Sequence, residues 1–224
     1  MRRPLAYVLL ALLVLALPVG PASAAARLIA PTGGRAASSF PLLRWSLPKQ
    51  EESEVVYVAR RATRTGTGEF ATANLEDTGV VSGRTQRYRS VNGLYSGTHY
   101  WIVGTRDADF EQHFSRVGRF RVPTSLQVGR LRTTPGTVPR GRDERMRVRA
   151  NARALRFTIR VVQGGRVVQT VTRRAPVLNP GTWGSRTVHW VASDGVARGR
   201  PATLRVTVQG GSRRYRASLR VTAP

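Results

Sequence analysis

The acidic residues of the segment 107–113 (DADFEQH) have the alternating spacing of metal ligands. Carboxylate oxygens are the ligands that Ca²⁺ prefers in proteins, so Asp107, Asp109 and Glu111 are candidate ligands. The segment lacks the glycine and the additional oxygen ligands of a calcium-binding loop. We therefore interpret it as a solvated hairpin loop and predict no metal site.

Other residue patterns of enzyme active sites are missing from the sequence. An enzyme should contain a nucleophile beside a base, paired carboxylates or metal-ligand spacing. His99, His113 and His189 are not paired at helical spacing, and neither a Gly-x-Ser-x-Gly nor a Gly-x-x-x-x-Gly-Lys motif occurs. The absence of Cys excludes disulfides and thiolate chemistry. We predict a protein without a catalytic site and without a cofactor.

Positive charge is the strongest feature of the composition, and it is concentrated in the second half. The chain carries 37 Lys and Arg against 12 Asp and Glu, a net charge of +25. Residues 25–123 contain 14 basic and 9 acidic side chains, whereas residues 124–224 contain 21 basic and 3 acidic ones. Because a field of this kind attracts anions, we expect an anionic partner to bind the second half.

The arginines of the second half alternate with apolar residues. In the stretch 155–160, for example, Arg156 and Arg160 alternate with leucine, phenylalanine and isoleucine. Neighbours on a strand point to opposite faces, so burying the apolar set turns the arginines towards solvent. In an Ig-like arrangement the third strand and the last two strands share one sheet, which predicts one basic face. Its residues are Arg156, Arg160, Arg205, Arg216 and Arg220, while Arg145, Arg147 and Arg149 are expected on the other sheet.

Short β-type runs separated by Gly, Pro, Ser and Asn position these side chains, and no long segment sustains a helical period. The first half has predicted strands at 41–47, 54–60, 87–91, 99–105 and 116–122. The second half has them at 146–150, 155–162, 166–172, 187–191, 203–209 and 215–221. Gly164-Gly165 and Gly210-Gly211 are predicted to close hairpins, because glycine adopts the positive φ that tight turns require.

The chain divides into three predicted segments. Residues 1–24 combine two arginines, a short apolar run and an Ala-Ser-Ala exit, which is typical of a secretory signal peptide; an uncleaved N-terminal anchor is the alternative. The strand pattern restarts after residue 125, so we expect an all-β protein with β-sandwich domains at 28–123 and 126–224 and a short, semi-rigid linker. The predicted protein is secreted or held on the extracellular face of the cell envelope.

The first half resembles a fibronectin type III domain over residues 28–122. The residues that carry the resemblance are Ala30-Pro31, LRWSLP at 43–48, VYV at 56–58, LYSGTHYWIV at 94–103 and GRFRV at 118–122. The resemblance implies a corner built by Leu94 and Gly97 before the sixth strand, and a tryptophan packed inside the sandwich.

The sixth strand of that pattern leaves two choices for its inward face. The sequence has one residue fewer between Gly97 and Trp101 than the family pattern. Either Trp101 and Val103 face the core with a histidine at the corner, or Tyr100 and Ile102 do. We expect the first, because Trp and Val bury more apolar area.

The second half resembles the Ig-like domain of flagellar hook-capping proteins and other bacterial surface proteins. The residues that carry this resemblance are Phe157-x-Ile159-x-Val161, GRVV at 165–168, Val188-x-Trp190, Asp194-Gly195 and Gly199. Val191 and the RPAT stretch at 200–203 depart from that pattern. The resemblance implies a second β-sandwich, which the alternation predicts independently.

These observations favour a non-enzymatic binding or scaffold protein, with the first domain as a spacer or protein-binding module. The basic face is expected to dock on an anionic polymer, such as wall teichoic acid, acidic glycan or lipid headgroups, or on an envelope protein. Nucleic acid fits the charge, but an exported chain rarely meets it, and membrane attachment is expected only through an uncleaved signal peptide. The alternatives are a basic surface without a ligand and a carbohydrate-binding accessory module, for which Trp183 would be the aromatic platform.

Overall fold

The structure is a computed structural model that describes residues 25–34, 38–136 and 140–223. The predicted signal peptide lies outside these residues. The described chain is built from sixteen β-strands and one 3-10 turn, Thr72–Asn74, and it contains no helix with the length and apolar character needed to cross a membrane. The strands form two groups that share no sheet. These groups are two tandem β-sandwiches.

The N-terminal sandwich contains the first eight strands. They are β1 Arg27–Ala30, β2 Leu42–Ser46, β3 Glu52–Ala59, β4 Leu75–Val80, β5 Arg87–Arg89, β6 Gly97–Arg106, β7 Gln112–Phe114 and β8 Gly118–Val122. One sheet has the order β1-β2-β5. The other has the order β4-β3-β6, and both β7 and β8 pair with β6.

The C-terminal sandwich contains the remaining eight strands. They are β9 Leu126–Val128, β10 Arg132–Pro135, β11 Gly141–Ala150, β12 Ala154–Gln163, β13 Arg166–Pro176, β14 Trp183–Val191, β15 Pro201–Gly210 and β16 Arg213–Thr222. The smaller sheet has the order β10-β11-β14, with β9 paired to β11. The larger sheet has the order β13-β12-β15-β16.

The two sandwiches share one topology. The strands β3 in the first sandwich and β12 in the second occupy the same place. Each lies between the next strand along the chain, β4 or β13, and a later strand, β6 or β15. All of these pairs are antiparallel. This arrangement of two facing antiparallel sheets is that of an Ig-like or fibronectin type III-like domain. The prediction of two such sandwiches is confirmed.

All eleven predicted strands are present, with ends that differ by a few residues. The sequence pattern did not predict β1, β4, β7, β9 and β10. Four of these have only three or four residues, which is too short for an alternating pattern to be recognised. The fifth, β4, contains Glu76 and Asp77, which are buried through polar contacts and not through apolar packing.

The core of the N-terminal sandwich contains Trp45, Trp101, Val103 and Phe120. Trp101 is 0% exposed, and its indole Nε1 donates to the Pro31 carbonyl at 3.0 Å. The expected choice of inward face on β6 is therefore confirmed.

The opposite face of β6 is buried as well, which the sequence did not predict. Ile102 is 0% exposed because residues 60–74 fold across the outer side of the β4-β3-β6 sheet. Phe70 is the apolar centre of this cover and is 2% exposed. Tyr57 on β3 donates from its hydroxyl to Glu69 Oε1 at 3.0 Å, which fixes the cover to the sheet.

The two predicted glycine hairpins differ in outcome. Gly164 and Gly165 have φ values of 54° and 78° and close the β12–β13 hairpin as predicted. The prediction for the second pair is wrong at Gly210, which is the last residue of β15, pairs with Arg213 and has no positive φ. A side chain at Gly210 would lie 3.0 Å from Leu155 Cδ2, so close packing explains this glycine, and only Gly211 serves the turn.

Direct contacts join the two sandwiches in addition to the linker. The buried carboxylate of Glu76 on β4 accepts from Arg60 and from Arg153 of the C-terminal sandwich, both at 2.9 Å, and its other oxygen lies 2.6 Å from His99 Nε2. Tyr95 donates from its hydroxyl to the Val177 carbonyl at 2.6 Å. The junction therefore depends on a buried charge from one sandwich and a guanidinium from the other.

Candidate polyanion-binding face

The arginines predicted to form one basic face lie together on the outer side of the β13-β12-β15-β16 sheet. Arg160 on β12 is directly opposite Arg205 on β15, which is directly opposite Ser218 on β16. Directly opposed residues project from the same side of a sheet, and residues two apart on one strand do the same. All five predicted residues are exposed on this side: Arg156, Arg160, Arg205, Arg216 and Arg220.

Two further arginines belong to this surface and were missed from the sequence. Arg174 on β13 is directly opposite Arg156, and Arg214 on β16 is opposite Gln209, the partner of Arg156 on β15. The predicted strands ended at residue 172, two residues before Arg174, and began at residue 215, one residue after Arg214. The two-residue spacing that continues from Thr172 to Arg174 was the available signal. We call the seven residues Arg156, Arg160, Arg174, Arg205, Arg214, Arg216 and Arg220 the basic face.

Hydroxyl groups fill the positions between these arginines. Thr172, Thr158 and Thr207 occupy one row across three strands, and their partner on β16 is Arg216. Strands lie about 4.8 Å apart and residues rise about 3.3 Å each, so the four-strand face is about 14 Å wide and Arg156 lies about 13 Å from Arg160. The surface is thus a flat lattice of guanidinium and hydroxyl groups.

The positive charge of the basic face is not neutralised locally. The sequences of β12, β13, β15 and β16 contain no carboxylate. Among the described residues, none of the seven arginines takes part in an ion pair. Arg156 opposes Arg174 and Arg160 opposes Arg205, and like charges in direct opposition destabilise a sheet. A bound polyanion would relieve that repulsion.

The arginines of β11 lie on the other sheet, as expected from the sequence, and each has a local partner. Arg145 Nη2 lies 3.6 Å from Asp143 Oδ2. The guanidinium carbon of Arg147 lies 5.6 Å from the centre of the Trp183 ring. Arg149 Nε donates to the Gly181 carbonyl at 2.6 Å. Trp183 itself begins β14 and is 43% exposed.

The candidate metal ligands form a self-contained loop. Asp107 Oδ1 accepts backbone N–H groups of Asp109 and Glu111, both at 2.9 Å, and its Oδ2 lies 2.8 Å from His113 Nε2. The hydrogen bond from His113 lowers the pKa of Asp107, and the two backbone N–H groups add to that effect. Asp107, Glu111 and His113 approach within 4.8 Å, whereas Asp109 is not part of this group. The geometry is that of an aspartate that organises a hairpin loop.

The three histidines each contact a carboxylate. His99 contacts Glu76, His113 contacts Asp107, and His189 Nδ1 lies 2.7 Å from Asp143 Oδ1. Within the described part of the chain, no imidazole is hydrogen-bonded to a Ser or Thr hydroxyl. These contacts hold loops and strand ends together.

No protein-family model matches the chain, and no curated protein matches it. Several solved structures resemble it at low identity. Latent PorU from Porphyromonas gingivalis is 14% identical with a TM-score of 0.31, over 92% of this chain, which spans only 21% of that chain. The fibronectin(III)-like modules of Clostridium thermocellum CbhA are 11% identical with a TM-score of 0.29, over 88% of this chain and 93% of theirs.

A third similar structure, the FN1–FN3 domains of chicken CNTN1, is 8% identical with a TM-score of 0.28, over 89% of this chain and 65% of that chain. The resemblance of the second half to the Ig-like domain of flagellar hook-capping proteins has no support in these comparisons. Both sandwiches are fibronectin type III-like by their own strand order.

Proposed function

We propose that the protein is an exported, non-enzymatic binding module whose basic face docks on a linear anionic polymer of the cell envelope or extracellular space. The observation that supports this most directly is the gathering of seven exposed arginines on one sheet that contains no carboxylate. Export is supported by the signal-like residues 1–24. The N-terminal sandwich serves as the spacer that carries this face.

A polymer suits the basic face better than a small ligand does. The guanidinium groups are spread over a flat surface, so a compact anion reaches only one or two of them at once. A chain with repeated phosphate or carboxylate groups reaches many, and each guanidinium donates two parallel hydrogen bonds to such a group. The hydroxyls of Thr158 and Thr207 add uncharged donors between the arginines.

Charge reversal on the basic face tests this proposal. The full-length protein is titrated into fluorescently labelled inorganic polyphosphate, and binding is followed by anisotropy. We expect the variant R156E/R160E/R220E to bind about a thousandfold more weakly, because each of the three lost charge-assisted contacts weakens binding about tenfold. Raising salt from about 50 to 200 mM should weaken the native protein about a thousandfold if six or more contacts form.

A matched control separates the face from the overall charge. R61E/R116E/R121E reverses three exposed arginines of the N-terminal sandwich and should weaken binding less than about threefold, since distant charges are screened. Equal losses in both variants would contradict the proposal. Binding to an uncharged glycan that survives high salt would instead identify a carbohydrate-binding module, and binding to a protein but not to polyphosphate would identify a protein partner.

A further inference from the structure

A second concentration of arginines lies on the opposite side of the C-terminal sandwich. A groove of about 520 Å³ runs along β11, β14 and the start of β10. Two hydroxyl side chains, Ser185 and Thr187, stand on its β14 side. Five arginines line it: Arg130, Arg132, Arg145, Arg147 and Arg186. Because the two sheets of a sandwich face away from each other, this groove and the basic face cannot contact the same short segment of a ligand.

The strand register places an aromatic residue at the end of this groove. Arg145, Arg147 and Arg149 on β11 are directly opposite Thr187, Ser185 and Trp183 on β14. The half-exposed indole therefore continues the row of hydroxyls along β14. It also holds the Arg147 guanidinium 5.6 Å from its ring centre, an arrangement that stabilises the cation.

The groove differs from the basic face in how firmly its cations are held. Arg147 is held by Trp183, and Arg145 is held by Asp143, 3.6 Å away. Asp143 also contacts His189 at 2.7 Å. A single carboxylate therefore offsets the positive charge of five guanidinium groups. Side chains that are already ordered lose less conformational entropy when a ligand binds. The groove thus combines excess positive charge, concave shape and ordered donors.

We propose that this groove is a second anion site, independent of the basic face, and that the C-terminal sandwich bridges two segments of anionic polymer. The inference rests on the proposed function, because it assigns the same class of ligand to both surfaces. Phosphate or carboxylate groups of the polymer bind the guanidinium groups, with hydroxyl donors beside them from Ser185 and Thr187. One face alone would coat a polymer, whereas two opposed sites cross-link it.

The fluorescence of Trp183 reports on the groove without a label. The other tryptophans, Trp45, Trp101 and Trp190, are at most 1% exposed, so an anion at the surface changes the emission of Trp183 and leaves theirs unaltered. Inorganic polyphosphate added to the full-length protein should change the emission in a saturable, salt-sensitive manner. The variant W183F should lose this signal while polyphosphate binding, followed by anisotropy, is retained.

Two charge-reversal variants assign the signal to one surface. R130E/R132E reverses two exposed groove residues that do not stack on Trp183 and should shift the fluorescence midpoint to about a hundredfold higher polyphosphate concentration. R156E/R160E/R220E should leave that midpoint within about threefold, because its substitutions lie on the opposite sheet, and the residual binding that anisotropy detects in this variant is binding at the groove, the weaker of the two sites. Circular dichroism and thermal melting of each variant confirm that it is folded.

Bridging is measured by light scattering with long-chain polyphosphate. As native protein is added, scattering should rise to a maximum and then fall when protein is in excess. R130E/R132E and R156E/R160E/R220E should each abolish this maximum, while anisotropy still detects binding. If R130E/R132E leaves both fluorescence and scattering unchanged, the groove is not an anion site, although the basic face stands. If R130E/R132E abolishes all binding while R156E/R160E/R220E binds normally, the groove stands and the assignment of function to the basic face fails.

Discussion

The larger sheets of the two sandwiches have equivalent strand orders, but the outer face is covered in the N-terminal sandwich and exposed in the C-terminal one. In the N-terminal sandwich, residues 60–74 connect β3 to β4 and cover the sheet with Phe70. In the C-terminal sandwich the equivalent connection is Gly164-Gly165, which is too short to cover anything. The length of one connection therefore decides whether the same sheet becomes a second core or an exposed surface.

The residue types on the two outer faces match this difference. The covered face presents Tyr57, Ile102 and Phe114 to the connecting segment. The exposed face presents arginine and threonine. Solvation alone does not require charges of a single sign, whereas the charges of the basic face are all positive. This contrast is why we propose a ligand for the second sandwich and a spacer role for the first.

The largest expected effect comes from opening the covered face. Phe70→Ala should lower the free energy of unfolding by about 3–5 kcal/mol. The Phe70 side chain is 2% exposed, so its removal leaves a buried cavity between the cover and the sheet. Urea-induced unfolding of the full-length protein measures this. Phe110→Ala is the matched control, since Phe110 is 78% exposed, and should change the value by less than about 0.5 kcal/mol. Equal effects would show that residues 60–74 do not act as a cover.

The next effect concerns the buried carboxylate at the junction. Glu76→Gln should destabilise by about 2 kcal/mol, because a buried charge-assisted hydrogen bond to His99 is lost. Burial raises the pKa of Glu76, but the hydrogen bond from His99 and the charge of Arg153 outweigh burial and leave that pKa below its ordinary value.

The pH dependence of this effect follows from the lowered pKa. The contribution of ionised Glu76 is fully present above the ordinary pKa of 4.5 and is lost as pH falls through the folded-state pKa. The native protein should therefore lose stability below about pH 4.5 more steeply than Glu76→Gln does. Parallel curves for the two proteins would contradict the role assigned to this carboxylate.

Glu144 in the C-terminal sandwich should make stability depend on pH in the opposite direction. This side chain is 0% exposed and accepts from Trp190 Nε1 at 3.2 Å, and burial raises its pKa. Protonated Glu144 contributes to the stability of the fold. This contribution is fully present below the ordinary pKa of 4.5 and is lost as pH rises through the folded-state pKa. Glu144→Gln should stabilise the protein by about 1 kcal/mol at pH 7 and have no effect near pH 4. Destabilisation at pH 7 would contradict this account.

A smaller effect is expected on the basic face, where removing one arginine should raise stability and weaken binding. Arg160→Thr removes the like-charge opposition to Arg205 and should raise the free energy of unfolding by up to about 1 kcal/mol at low salt, while it weakens polyphosphate binding. Arg220→Thr is the control, because Arg220 faces Thr203 and should weaken binding without the gain in stability. A loss of stability in Arg160→Thr would contradict the repulsion on the basic face.

The smallest expected effect is at the loop 107–113. Because Asp107 is already occupied by two backbone N–H groups and His113, saturating calcium should leave the melting temperature unchanged. A rise in melting temperature that Asp107→Asn abolishes would revive the calcium site.

Much of the C-terminal sandwich was predictable because alternation is strong in long strands. Leu155, Phe157 and Ile159 had to be buried together, and that fixed the direction of Arg156 and Arg160. Arg174 and Arg214 were missed because strand ends depend on pairing with a neighbouring strand; the two-residue spacing from Thr172 to Arg174 was the only signal that the sequence offered. The groove was missed because its residues come from β11, β14 and the start of β10, and only the register aligns them.

The N-terminal sandwich was predictable on its inner face and not on its outer one. Trp101 was assigned correctly from apolar area. The cover over Ile102 was not predicted, because residues 60–74 contain mostly polar residues and a single large apolar side chain, Phe70. Likewise, nothing in the sequence around Glu76 indicates a partner at Arg153, 77 residues away.

By itself, the sequence determined the class of fold, the longer strands and the sign of the charge, because side-chain alternation and composition act locally along an extended chain. The tertiary structure decided which arginines share a face, which sheet is covered and where the two sandwiches touch. Those outcomes depend on strand register and on the length of connections, since both bring together residues that are remote in the chain.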